Sequence, residues 1–169
     1  SASHSILDRV EVVMVKRTQE IERKWLVSKL PRLGTLKREH IVQGYLVISS
    51  DGGEVRIRRK GKTYYETVKS QGTLMRNEIE VKISSNQFHR LWPATGGRRL
   101  KKVRYAWNWN GHHIEIDVYQ GSLATLIVAE VEFESVQASR RFSPPDWFGK
   151  EVTEVQRYKN HCLARGVPH

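Results

Sequence analysis

Charged residues recur at every second position in six separate stretches of this chain, and that spacing narrows the folds open to it. In Glu20-Ile21-Glu22-Arg23-Lys24-Trp25-Leu26-Val27, an extended backbone puts Glu20, Glu22 and Lys24 on one face. The alternation returns at Glu54/Arg56/Arg58, Glu78/Glu80/Lys82, Lys102/Arg104, Glu115/Asp117 and Glu130/Glu132/Glu134. Apolar residues interleave each file: Val55 and Ile57, Ile79 and Val81, Val103 and Tyr105, Ile114 and Ile116, Val131 and Phe133. One such strand, taken alone, is an ordinary half-buried strand with a wet face. Repetition changes the reading, because two aligned carboxylates hold a hard divalent cation while a lysine one pleat further on meets an anion bound to it.

Turn signals divide the rest of the chain into short antiparallel strands. Residues 41–49 and 54–60 flank Ser50-Asp51-Gly52-Gly53, Gly61-Lys62 leads into 63–69, and 77–83 follows a loop. Asn110-Gly111 suits a type I′ turn between 100–108 and 113–119, and a further strand covers 126–134. Helices are predicted from Ser84 or Ser85 to Leu91, ended by Pro93, then at 136–141, and as a last amphipathic stretch at 153–164. About eight strands is where a sheet closes into a barrel. The fold class expected is therefore α+β, a closed antiparallel eight-stranded β-barrel. If the charged faces point inward, giving a polar, charged interior, the apolar faces point outward and are left for the three helices to cover.

A chain of 169 residues fits one domain. Its formal charge of +11 and pI near 10 favour acidic partners such as nucleotides, polyphosphate, nucleic acid or anionic surfaces, without choosing among them. A lone Cys162 makes no internal disulfide, and no apolar run reaches the length of a membrane span, so a cytoplasmic protein is expected. Residues 1–18 read as an N-terminal extension or added remnant, with Met14 as a candidate native start, and 19–168 as the domain.

The segment EIERKWLV carries an ExExK signature, and QGYL, RIRRKG, TVKS, LWPAT, KVRY, EIDVY, AEVEF and VTEVQRYKN follow it in order. In this the chain resembles the CYTH superfamily, the triphosphate tunnel metalloenzymes, and most closely its small bacterial inorganic tripolyphosphatases. The ExExK triplet alone is a weak signal, whereas nine segments in order, from Glu20 to about Pro168, are a strong one. The resemblance implies a water-filled tunnel in which Lys24, Arg56, Arg58, Lys69, Lys102 and Arg104 bind the substrate's phosphates. It implies that Glu20, Glu22, Glu130, Glu132 and Asp117 serve the metal, with Glu78, Glu80 and Glu115 as further tunnel acids. Glu22, Glu132, Lys24 and Lys102 are the residues it places at the chemistry. Oxygen ligands point to Mg2+ or Mn2+, two per site with substrate bound.

The reaction implied is metal-dependent hydrolysis of tripolyphosphate to pyrophosphate and orthophosphate. Relatives that form cyclic AMP, or that hydrolyse thiamine triphosphate or nucleoside triphosphates, share the tunnel. A different class, a basic barrel that binds polyphosphate or RNA without turnover, suits the net charge. It sits badly with the ordered acids, which repel phosphates unless a cation intervenes. No specific nucleic acid and no membrane partner are expected, and the chain is read as a monomer or homodimer. No GxxxxGK[ST] phosphate loop occurs, and Gly96-Gly97-Arg98-Arg99 reads as a turn. Lys60, Lys62, Arg59, Arg98, Arg99 and Lys101 are read as solvated bases, and His112-His113 as exposed. The closing segment VTEVQRYKN is a candidate cap for one tunnel end, with Arg157 or Lys159 as its working residue.

Overall fold

The computed structural model describes residues 15–166, with side chains from Thr18 onward. Residues 1–14, including Met14 and most of the expected extension, lie outside the described residues. Strands β1 (Val15–Val27), β2 (Lys37–Ile48), β3 (Glu54–Lys60), β4 (Thr63–Lys69) and β5 (Met75–Ile83) are followed by helix α1 (Ser85–Leu91). Then come β6 (Arg99–Trp109), β7 (His112–Tyr119), β8 (Ile127–Glu132), α2 (Val136–Arg141), β9 (Phe148–Glu151) and α3 (Asn160–Ala164). The sheet runs β5-β4-β3-β2-β6-β7-β8-β1, and pairing of β1 with β5 closes it into an eight-stranded antiparallel barrel. Among the described residues no helix is long and apolar enough to cross a membrane.

Strand β1 is shared by two neighbours on one side. Its first half pairs with β5, ending at Ile21↔Met75, and its second half meets β8 on the other side from Glu22↔Glu132 to Leu26↔Val128. The ninth strand, which the sequence reading missed, takes the place β5 leaves, with Trp25↔Glu151 and Val27↔Phe148. Four residues of uncertain pattern after Pro144-Pro145 become a strand because β1 offers them an unpaired edge.

Local chemistry sets the turns and caps. Asn110 (φ 47°) and Gly111 (φ 77°) form the predicted β6–β7 turn, in which both central residues need positive φ. Ser84 caps α1 through a reciprocal pair with Gln87, and Ser135 caps α2 through the Ala138 N–H. Gly44 allows the 3-10 turn Trp92–Thr95 to lie against β2, since a Cβ there would stand 2.6 Å from Thr95.

The outer wall is covered unevenly. On β1, β7 and β8, Trp25, Ile114, Ile116, Ala129 and Val131 are buried beneath Phe142, Phe148 and α2. On β3 and β4, α1 places Phe88 against Tyr64 and Trp92. With only seven residues, α1 leaves the far ends bare. Val47, Val55, Val68 and Ile79 stand in one cross-strand row, and Val47, Val68 and Ile79 are exposed there.

The expected helix at 153–164 is broken, which corrects the prediction. Val152 N–H donates to Lys24 O, and Thr153 Oγ1 accepts from Lys24 N–H, so this stretch is held extended along β1. A 3-10 turn (Gln156–Tyr158) and the five-residue α3 follow. The segment does not lie outside the barrel as the other two helices do. Val152, Tyr158, Leu163 and Ala164 pack with Tyr45, Leu100, Tyr119 and Val128, whose side chains point into the barrel, and so fill one end of it.

Candidate active site

The inward faces of β1, β3, β4, β5, β6, β7 and β8 enclose a cavity of about 180 Å³. Its wall holds seven carboxylates, Glu20, Glu22, Glu78, Glu80, Glu115, Glu130 and Glu132. Five bases face them: Arg56, Arg58, Lys60, Lys69 and Arg104, with His113 and Asn160 completing the lining. The period of two in each strand is what turns these residues inward together, while the interleaved apolar residues face the outer wall.

Ion pairs cross between strands. Lys69 Nζ lies 2.8 Å from Glu20 Oε2 and 3.3 Å from Glu78 Oε2; Arg58 Nη2 lies 2.9 Å from Glu80 Oε2. Arg104 reaches Glu115, Asp117 (2.7 Å) and Glu130 (3.2 Å) at once. Lys24 Nζ sits 3.2 Å from Glu130 Oε1, and that oxygen accepts no hydrogen bond. Arg56 and Arg58 each keep a buried Nε–H without a protein acceptor. Both guanidinium groups line the cavity, and their planar donors suit phosphate oxygens.

Charge is unevenly compensated. Burial, and then the neighbouring carboxylates of Glu130 and Glu20, push the Glu22 carboxyl up to about 8. Burial also opposes ionisation of Glu20 and Glu130, but Lys69 outweighs it at the first, and Lys24 with Arg104 at the second, so both are held below the ordinary range. Glu22, Glu20 and Glu130 therefore form a knot of negative charge that the bases relieve only in part. An oxygen-ligated divalent cation fits that knot. Among the described residues no three His, Cys, Asp or Glu side chains close on one point as a finished metal cage.

Three predicted residues stand apart from the cavity wall: Lys24 lines a smaller adjoining space, and Lys102 and Asp117 line neither. Lys102 (1 % exposed) and Asp117 (0 %) are buried beside that wall, with Lys102 Nζ 2.5 Å from Asp117 Oδ2. Both Asp117 oxygens are bonded to Lys102 or Arg104, which makes Asp117 the anchor of Arg104 and not a residue facing the cavity. Burial, with Arg104 adding to it against Asp117, brings the Lys102 ammonium down to about 8.

Other residues were missed or misread in the sequence. Lys60, read as solvated, lines the cavity and meets Glu39 at 3.4 Å, because β3 keeps its inward face to its last residue. His113 is exposed as read, and it also borders the cavity mouth, with Nε2 3.5 Å from Glu115. Arg98 and Arg99 are structural: Arg98 Nε donates to Tyr45 O and Arg99 lies over the Trp92 ring. Tyr45 is fully buried, accepts from Gln43 Nε2 at 2.8 Å, and has its hydroxyl pushed up by burial and by Glu54. Glu54 joins His161 (2.8 Å), Arg76 (3.7 Å) and Arg56 (4.0 Å), linking α3 to the tunnel wall. The QGYL and YKN motifs were the only sequence signal for Tyr45 and Asn160.

A closed barrel with acids and bases paired across a wet interior defines a class of protein built to hold a polyanion together with a cation. The comparisons narrow that class. The family model of the CYTH domain matches residues 18–166, and the chain belongs to that family. It is 48 % identical over 150 residues to an inorganic triphosphatase of Nitrosomonas europaea, covering 88 % of this chain and 99 % of the relative. An inorganic triphosphatase of Acetivibrio thermocellus is 32 % identical over 149 residues, 87 % of this chain and 94 % of that one. A solved structure of an inorganic triphosphatase superposes with a TM-score of 0.68 at 46 % identity, covering 89 % of this chain and 97 % of its own.

Proposed function

We propose that this protein hydrolyses inorganic tripolyphosphate to pyrophosphate and orthophosphate inside the barrel, with a divalent cation of the magnesium or manganese type. The observation that carries the reading is the cavity wall, where the guanidinium groups of Arg56, Arg58 and Arg104 stand among an under-compensated cluster of carboxylates. Two relatives bearing the name inorganic triphosphatase support it.

Arg56, Arg58 and Arg104 fork onto phosphate oxygens, while Lys24 and Lys69 act as point charges beside them. Glu20, Glu22, Glu130 and Glu132 would hold the cation. Bound there, it neutralises phosphate charge and acidifies coordinated water. A carboxylate of the same cluster orients the attacking water in line with the leaving pyrophosphate. The water oxygen bonds to the terminal phosphorus as the bridging P–O bond breaks, and the water's proton passes to a carboxylate or to solvent. Catalysis then rests on placement and electrostatics.

The test is a product assay with tripolyphosphate and ATP, each with magnesium, manganese or a chelator. Orthophosphate and pyrophosphate from tripolyphosphate, abolished by chelator, are expected. Cyclic AMP from ATP, or salt-sensitive polyanion binding that ignores chelator and gives no product, would overturn the reading.

A further inference from the structure

The tunnel has a direction, and Asn160 stands at its inner end. Along β1, Thr18 and Gln19 border an outer groove, Glu20 and Glu22 line the main chamber, and Glu22 and Lys24 line a smaller inner one. Along β3, Lys60 and Arg58 line the main chamber only, Arg56 lines both, and Glu54 lines the inner one only. The chambers meet at Glu22, Arg56, Lys69 and Asn160. The inner space is about 30 Å³ against 180 Å³ for the outer. The inner space is thus about one-sixth of the main chamber, so the tunnel narrows sharply at this waist.

Among the described residues that line the main chamber, Asn160 alone is neither acid, base nor histidine. Its orientation is set from behind: the Tyr119 hydroxyl donates to Oδ1, and burial beside Asp117 keeps that hydroxyl protonated. Among the described residues Nδ2 meets no protein acceptor, which leaves its two N–H donors free at the waist. The backbone that carries it is anchored, because His161, Cys162, Leu163 and Ala164 are buried and Lys159 Nζ donates to Gly72 O at 2.5 Å.

We propose that Asn160 donates through Nδ2 to the innermost phosphate of the substrate and, backed by α3, stops the phosphate chain at three units. This makes it a specificity-determining residue; the inference rests on the tripolyphosphatase reading.

Asn160→Asp retains the acceptor for Tyr119 and removes the inward N–H donors, whereas Asn160→Ala also widens the waist. Calorimetric binding of tripolyphosphate and tetrapolyphosphate to the full chain with magnesium, alongside kcat/KM for both, tests the proposal. Asn160→Asp is expected to melt like the wild type and to bind tripolyphosphate at least about tenfold more weakly. For Asn160→Ala, or Asn160→Ser if the alanine variant does not fold, the ratio of tetrapolyphosphate to tripolyphosphate kcat/KM is expected to rise about fivefold. Unchanged binding in folded Asn160→Asp, or an unchanged ratio in the alanine or serine variant, would overturn it. A wild type that binds tripolyphosphate without hydrolysing it sinks the functional reading, and the binding arm still decides this one. A wild type that does not bind it overturns both.

Discussion

Glu22 and Arg58 show how single side chains divide the work of the cavity. Glu22 sits where burial and two neighbouring carboxylates resist its ionisation, the position a cation relieves most. Glu22→Gln is expected to cut phosphate release about 100-fold or more at saturating metal, and wild-type turnover would remove Glu22 from the metal site. Arg58 donates to Glu80 through Nη2 and lines the cavity, which places its guanidinium where a phosphate would lie. Arg58→Ala should raise KM for tripolyphosphate about tenfold or more, readable in steady-state kinetics. That each shares a face with its neighbouring charges was legible from alternation, and that this face points inward came from the family resemblance. That Asp117 binds Lys102 and Arg104 was not legible, because pairing depends on cross-strand register, here Arg104↔Asp117 and Lys102↔Tyr119.

At the scale of elements, α1, α2 and the C-terminal segment solve different packing problems. The start of α1 was readable from its serine cap, and α2 was expected at its observed bounds, where the structure adds Ser135 as the cap. The closing segment carries a helical pattern, yet pairing to Lys24 of β1 draws its first part into an extended run and turns its apolar residues into the barrel end. Leu163 is nearly fully buried there. Leu163→Ala should cost about 2–5 kcal/mol in denaturant unfolding, whereas Val68→Thr on the bare outer wall should change stability by less than about 0.5 kcal/mol. Equal effects would contradict the placement of α3 as an internal plug.

Taken whole, the molecule turns about half of its 18 acids into the barrel of a basic protein, and its stability follows their ionisation. Burial opposes ionisation of Glu54, but the His161 hydrogen bond and the charges of Arg56 and Arg76 outweigh it and pull the carboxyl down to about 2. A carboxyl lowered on folding stabilises the protein above its ordinary value of 4.5, and that contribution is lost as pH falls from there through about 2. Glu54 should contribute roughly 3 kcal/mol at neutral pH by this measure. In acid-unfolding curves Glu54→Gln should flatten the loss of stability below pH 4.5; a slope equal to wild type would show that Glu54 is not held ionised by folding. Tripolyphosphate, which binds the folded barrel and not the unfolded chain, should raise Tm, and by more with magnesium than with chelator.

Strand period, turn residues and the ordered motifs determined from the sequence alone that charged faces turn inward and that about eight strands close around them. These are local facts, since alternation fixes a side chain's face wherever the strand lies. Tertiary structure alone decided that Lys60 and Asn160 belong to the cavity wall while Lys102 and Asp117 lie behind it, that β9 completes the edge of β1, and that the last helix enters the barrel. Each depends on which distant segment becomes a neighbour, and that is set by register and barrel closure, for which no short stretch of sequence carries a signal.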